Sequence, residues 1–317
     1  MHSHEIRHLS DVSRRSLLLG GGIALGSAFL GSGLIDQSLA ATTIKLPGFT
    51  NFANSVKVFK SSKYYLVESN GLPDHQLMVG IKSWQQQIPT PQNYSGSNAW
   101  SIPITPTLAK SPMSARNHFF RGAIALAVNG IPIFNALNNR GDDAYLAGEL
   151  DDWGGHCGRA DDYHYHIAPL HLTKIVGAKV PIAYALDGFP IFGLTEADGK
   201  PVKGLDEFNG HFDSKKKYHY HGTKNFPYIN GGFKGEVSEI DGQVDPQPIT
   251  KAFRPAGEPL RGALISEFTR LGSDTYQLNY LINNQDYAVK YQATQSIVQI
   301  TFIAPDGTTR EEIYQRR

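Results

Sequence analysis

Two stretches of this chain repeat the same order of residues. L-D-D-W-G-G-H (150–156) is followed by Y-H-Y-H (163–166), and L-D-E-F-N-G-H (205–211) is followed by Y-H-Y-H (218–221). Upstream of each copy lies a run of the form A-x-A-[VL]-[ND]-G-[IF]-P-I-F, at 125–134 and 183–192. The chain therefore contains an internal duplication. A repeated unit of this kind usually buries its apolar face against its twin.

The duplication supplies two matched sets of three histidines: His156, His164 and His166, then His211, His219 and His221. Side chains alternate between the faces of a strand, so the two histidines of each H-x-H share one face, with Cα atoms roughly 6.6 Å apart, and the tyrosines take the other. Imidazole is a common transition-metal ligand, and all-nitrogen sites suit copper and zinc. The pattern predicts a copper or zinc site. The alternative is that the histidines are half-buried polar groups without a metal.

The rest of the chain predicts a mainly β protein, an antiparallel sandwich-like or barrel-like domain around the duplication, with few short helices. The A-x-A…P-I-F runs are typical of strand, Asn-Gly or Asp-Gly turn, and strand. We expect a hairpin at 56–67, a long ordered loop at 85–112, a short helix at 261–271 and a closing meander at 276–314. Residues 41–317 are interpreted as a single β-rich domain whose duplicated core spans about 123–235.

Residues 1–40 resemble an export signal. Arg14 and Arg15 precede a glycine-diluted apolar run that ends at Ser38-Leu39-Ala40, a small-x-small cleavage pattern. These features favour a twin-arginine signal peptide over a membrane anchor, and they predict a periplasmic or secreted protein. Twin-arginine export carries folded chains, often with a cofactor in place. Cys157 is the only cysteine, so no intramolecular disulfide can form.

Charge excludes two classes of partner. The chain has 30 Lys and Arg against 29 Asp and Glu, a formal charge of +1. Such a balance does not steer a protein to nucleic acid or to an anionic membrane. We expect no nucleic-acid partner and no stable membrane span after signal removal. The charge is compatible with a small-molecule or cell-envelope ligand.

At these motifs the sequence resembles the YHYH family of exported proteins. The resemblance extends to S-N-G-L-P-D-H, ending at His75, to the N-G-I-P-I-F and L-D-G-F-P-I-F-G runs, and to F-P-Y at 226–228. It implies that His75 belongs with the histidines of the two motifs. It implies no reaction.

Three functions fit the sequence. The first is an exported protein that binds a transition metal through its histidine cluster, and we favour one ion shared between His164, His166, His219 and His221. Asp151, Asp152, Asp206 and Glu207 would orient the rings. The second is a metal-dependent hydrolase or oxidoreductase, with Asp187 as a weak candidate for the general base. The third is a polysaccharide or cell-envelope binding module without metal, whose platforms are Trp153, Phe233 and the motif tyrosines.

Overall fold

The structure, a computed structural model, describes residues 42–82 and 84–316, so the predicted signal peptide lies outside the described residues. Its helical elements are short: α1 at Thr173–Val176 and three 3-10 segments at Phe49–Phe52, Gly96–Asn98 and Leu170–Leu172. The strands in chain order are β1 (Lys57–Lys60), β2 (Tyr64–Glu68), β3 (Trp100–Pro103), β4 (Leu108–Ser114), β5 (Ala123–Ala127), β6 (Pro132–Phe134), β7 (Gly155–Cys157), β8 (Tyr163–Tyr165), β9 (Ala183–Ala185), β10 (Pro190–Phe192), β11 (Gly210–Phe212), β12 (Tyr218–His221), β13 (Gly232–Gly235), β14 (Ser238–Ile240), β15 (Gln243–Asp245), β16 (Leu264–Arg270), β17 (Thr275–Ile282), β18 (Gln285–Ala293), β19 (Ile297–Ile303) and β20 (Thr309–Gln315).

The duplicated core forms one eight-stranded sheet with the order β11-β12-β10-β9-β5-β6-β8-β7. The first copy supplies β5 to β8 and the second β9 to β12. The strand order of the second half therefore repeats that of the first in the opposite direction from the β5–β9 pair. That pair is antiparallel and centred on Leu126 opposite Tyr184, with Ala125 opposite Ala185 and Ala127 opposite Ala183. Because equivalent residues cross at one point, the halves are related by a pseudo-twofold through the Leu126–Tyr184 pair.

This order separates the two Y-H-Y-H strands. Strands β10, β9, β5 and β6 lie between β12 and β8. At about 4.8 Å per strand, these five spacings place the two motifs roughly 24 Å apart. The expectation of a single ion shared by His164, His166, His219 and His221 is therefore wrong. The two copies pair through their A-x-A strands, β5 and β9. Their Y-H-Y-H strands, β8 and β12, lie near opposite edges of the sheet.

The predicted β-rich class is confirmed, and within residues 42–82 and 84–316 no sheet closes into a barrel. The expected hairpin is β1–β2, extended by β3, and the expected meander is β17–β20, extended by β16 into a five-stranded sheet. The core is continuous across these sheets, from Val58 and Ile102 through Ile133 and Ile191 to Ile300. The described part of the chain holds no helix long and apolar enough to cross a membrane.

Two local expectations are wrong. Residues 264–270, expected within a helix, form strand β16. Its buried Ile265 and Phe268 are three residues apart because a β-bulge between Ile265 and Glu267 shifts the register, and that spacing imitates a helix. The expected loop at 85–112 contains β3 and the start of β4, since its prolines and serines lie at strand ends and on an exposed edge.

Candidate metal centres

The sheet brings each histidine triplet together on one face. In the first copy β7 and β8 are antiparallel, with His156 opposite His164, and His166 follows two residues later. In the second, His211 lies opposite His219 on β11 and β12. The described residues contain two groups of at least three metal-ligand side chains with ligand atoms within 4.8 Å of one another. We call them site one (His156, His164, His166) and site two (Glu196, His211, His219, His221).

The ring nitrogens that face one another are Nε2 atoms at metal-site spacing. In site one the Nε2 atoms of His164 and His166 are 3.2 Å apart, and those of His166 and His156 are 3.1 Å apart. In site two the Nε2 atoms of His211 and His219 are 3.1 Å apart. Nitrogens about 2.05 Å from a tetrahedral zinc ion are about 3.3 Å from each other. The two triplets thus have nearly the ligand spacing that a bound ion would impose.

The other ring nitrogen is held by backbone carbonyls. Nδ1 of His166 lies 2.6 Å from the Asn135 oxygen, and Nδ1 of His221 lies 2.8 Å from the oxygen of Gly193, the equivalent residue in the second copy. Nδ1 of His164 and of His211 contact carbonyl oxygens at 3.0 and 3.1 Å. A carbonyl oxygen only accepts, so in each neutral ring Nδ1 carries the proton and Nε2 the lone pair. Two such Nε2 atoms cannot hydrogen-bond to each other. A cation between them would satisfy both lone pairs.

A proton is poorly suited to fill the gap between two facing Nε2 atoms at neutral pH. It would give one ring a positive charge, and burial disfavours charged rings. Desolvation lowers the pKa of His166 to about 3, helped by the neighbouring His164. Desolvation and the nearby His166 hold the pKa of His156 well below its usual value. In site two, desolvation lowers the pKa of His221 to about 4 and also lowers the pKa of His219, where His211 adds to the effect. At neutral pH these rings are neutral, as ligands must be.

Site two has a fourth candidate ligand, Glu196, that the sequence did not reveal. The Glu196 carboxylate lies 3.0 Å from Nε2 of His211, 3.6 Å from Nε2 of His219 and 3.7 Å from Nε2 of His221. Nε2 of His221 is buried without a hydrogen-bond partner. A buried nitrogen in this position calls for an explanation, and an ion among the three rings would satisfy it.

Site one lacks this carboxylate because its equivalent residue is Asn138. Both residues follow the P-I-F strand by the same distance and begin the same turn: the Asn138 amide donates to Asp142, and the Glu196 amide to Lys200. The Asn138 Oδ1 accepts the amides of Arg140 and Asp142, and its Nδ2 lies 3.3 Å from Glu149. The Asn138 side chain thus stabilises its own loop and does not point at the histidines. Comparing the copies beyond P-I-F would have exposed the carboxylate difference, but the loop sequences share no motif there.

Asp151 and Asp206 do not orient the rings, contrary to expectation. Asp151 Oδ1 accepts the amides of Trp153 and Gly155, and its Oδ2 accepts the Tyr163 hydroxyl at 2.8 Å. Asp206 does the same in the second copy, closing its turn and accepting the Tyr218 hydroxyl. These contacts lie on the tyrosine face of the sheet. Asp152 and Glu207 are exposed. The L-D-x-x-x-G-H pattern therefore encodes a turn that is tied to its own tyrosine.

His75 and Asp187 also lie on the tyrosine face, away from both sites. Tyr165 accepts from Asn129 at 3.0 Å and donates to Nε2 of His75 at 2.7 Å, because Nδ1 of His75 donates to Gln76. Tyr220 instead accepts the Lys234 amide and donates to Asp187 at 2.6 Å. The first copy has Asn129 where the second has Asp187. This difference matches the hydrogen bonds of the tyrosines, because Asn129 donates to its tyrosine and Asp187 accepts from its own.

Asp187 has no access to reacting atoms. It is 1% exposed, and its carboxylate accepts Tyr220 and the amides of Phe189 and Gly235. Burial raises its pKa to about 6, which these hydrogen bonds oppose. Asp187 therefore anchors the turn rather than serving as a general base for either site.

The aromatic rings proposed as sugar platforms are mostly buried. Tyr163, Tyr165, Tyr220 and Phe233 have no exposed surface, and Tyr218 is 4% exposed. Trp153 stacks on His75, with ring centroids 4.6 Å apart. A sugar platform needs an open ring face, so these rings form core instead.

Site one opens into a cleft of about 840 Å³ that its three histidines help to line. The charged residues around this cleft are Arg121, Arg140 and Arg159 against Glu149 and Asp162. Arg140 pairs with Glu149 and with Asp142. The cleft is therefore polar, and its three arginines are balanced by three carboxylates when Asp142 is counted.

Comparison with known proteins gave one match. Residues 99–201 match the family model described as YHYH protein. The matched region contains all of site one and Glu196 and ends before the second Y-H-Y-H. Searches of curated proteins and of solved structures found no match. The resemblance noted in the sequence is confirmed: residues 99–201 of this chain are similar to the YHYH family.

Proposed function

We propose that this protein binds two transition-metal ions, zinc or copper, one at each histidine triplet, and that it acts outside the cytoplasm after twin-arginine export. One observation carries the metal proposal. The Nε2 atoms of His164 and His166 face each other 3.2 Å apart, and Nδ1 of each ring donates to a backbone carbonyl, so two lone pairs converge with no proton between them.

The ligand atoms available at each site narrow the choice of metal. Each site offers imidazole nitrogens, and site two adds one carboxylate. No thiolate joins them in the described residues, and Cys157 is buried with a pKa that burial raises. Nitrogen and oxygen donors suit zinc and Cu(II), and copper stands highest in the general affinity order. Loading before export would let the chain acquire its metal in the cytoplasm.

Titration of metal-free protein at pH 7 tests this proposal. We expect two equivalents of Zn(II) or Cu(II) per chain, verified by elemental analysis. His164→Ala should remove one equivalent and His219→Ala the other. Tyr163→Phe is the matched control, because it changes the same strand on the opposite face and should retain both. Full metal content in both alanine variants, or no uptake by the parent protein, would contradict the proposal.

A second candidate, a metal-dependent hydrolase or oxidoreductase, is favoured by the cleft at site one. Three protein ligands with an open position are typical of catalytic zinc sites, and four protein ligands are typical of structural ones. Turnover of an activated ester by zinc-loaded protein, lost in His164→Ala but kept in His219→Ala, would support this candidate. Equal rates in both variants would contradict it.

A further inference from the structure

The two copies differ at one ligand position, and the difference indicates what site one binds. In site two, Glu196 places a carboxylate oxygen against all three histidines. In site one the equivalent Asn138 is turned into its loop, and a cleft lies in front of the rings. A carboxylate thus occupies the position next to the three histidines in site two, and the equivalent position in site one is open to the cleft.

We propose that site one takes a carboxylate-bearing small molecule from the cleft, bound in the place that Glu196 occupies in site two. This inference rests on the proposed metal binding. The ligand would bind the ion directly, and no bond would be made or broken. Site two is closed by its own carboxylate and takes no such ligand.

Charge supports an anion at site one. Among the described residues, no carboxylate lies against the Nε2 atoms of site one, whereas Glu196 lies against those of site two; the nearest one at site one, Asp162, is behind His164, 3.7 Å from its Nδ1. The three arginines of the cleft lining are balanced by its two carboxylates and by Asp142, the second partner of Arg140. Glu149 is unsuited to close site one itself, because it pairs with Arg140 and contacts Asn138. An anion entering the cleft is therefore attracted by the charge of the bound ion and not by the cleft lining.

The cleft also has room for more than the carboxylate. Its volume of about 840 Å³ lies within the range of small-molecule sites. Asn139 and Thr250 line it beyond the histidines, and so does Trp100, whose buried indole nitrogen lacks a hydrogen-bond partner. These groups suit a polar organic acid with further acceptor atoms.

Cobalt(II) substitution tests the inference, because its visible spectrum reports coordination. We load both sites and titrate with acetate, then separately with inorganic phosphate. Acetate should change the spectrum saturably at one cobalt per chain. His219→Ala, which retains site one, should keep the full response, and His164→Ala, which retains site two, should lose it.

Ligand-swap variants sharpen the test. Glu196→Ala should make site two responsive to acetate, and Asp198→Asn, which removes a carboxylate from the same loop, should not. Asn138→Glu should silence site one. Because Asn138 also holds its turn, the conclusion depends on the two histidine variants and on Glu196→Ala.

The outcomes separate the two proposals. No cobalt uptake would refute metal binding itself. Two bound cobalt ions with no acetate response, with equal responses at both sites, or with a response to phosphate alone would leave metal binding standing and overturn the carboxylate inference.

Discussion

Acidification should release metal from site one far less readily than ordinary imidazole chemistry suggests. Between pH 7 and pH 5, an exposed imidazole with pKa near 6.5 loses about 25-fold in neutral fraction, so three of them lose roughly ten-thousandfold in affinity. Burial lowers the pKa of His166 to about 3 and that of His156 well below its usual value. Those two rings remain neutral and available at pH 5. We therefore expect site one to escape the roughly 25-fold loss of each of these two rings, about 600-fold in all.

The sign of this effect follows from the direction of the shift. A lowered pKa means that folding excludes the proton, so protons compete with metal only when the pH approaches the folded value. The assay is chelator competition at pH 7 and pH 5 on the His219→Ala variant, which isolates site one, with near-ultraviolet circular dichroism to verify the fold. A loss near ten-thousandfold in folded protein would refute the argument that the rings are held neutral by burial.

Three further outcomes are expected. Replacing Arg14 and Arg15 by lysine should leave the protein in the cytoplasm with its signal uncleaved, and continued export would contradict the twin-arginine interpretation. Gly155→Ala should cost about 1–3 kcal/mol in denaturant unfolding, because its Cβ would lie 2.5 Å from a carbonyl oxygen of β8, whereas Gly272→Ala, with 3.8 Å of clearance, should be near neutral. Tyr165→Phe should cost about 1–3 kcal/mol, since it strips Asn129 and His75 of a shared partner; no change relative to Tyr145→Phe on the surface would count against that network.

Much of the fold could be predicted because its signals are local. Alternation along Y-H-Y-H correctly separates His164 and His166 from Tyr163 and Tyr165, and the Asn-Gly and Asp-Gly turns correctly mark the paired strands. The helix expected at 261–271 was wrong because a bulge gives β16 a helical spacing. Periodicity does not record bulges.

The arrangement of the sites was harder to predict. A duplication fixes that the copies are equivalent but not which strands meet, and here the A-x-A strands pair while the histidine strands diverge. The sequence therefore predicts two triplets without their separation. Glu196 lies in a loop where the copies differ, so neither periodicity nor repetition marks it. Only the fold shows that it faces His211.

The most direct test of the two-site account is an anomalous-difference map from crystals of the metal-loaded protein. We expect two peaks per chain: one about 2.1 Å from Nε2 of His156, His164 and His166, and one at a similar distance from Nε2 of His211, His219 and His221 with Glu196 beside it. The peaks should lie roughly 24 Å apart. A single peak, or peaks away from both triplets, would contradict the account.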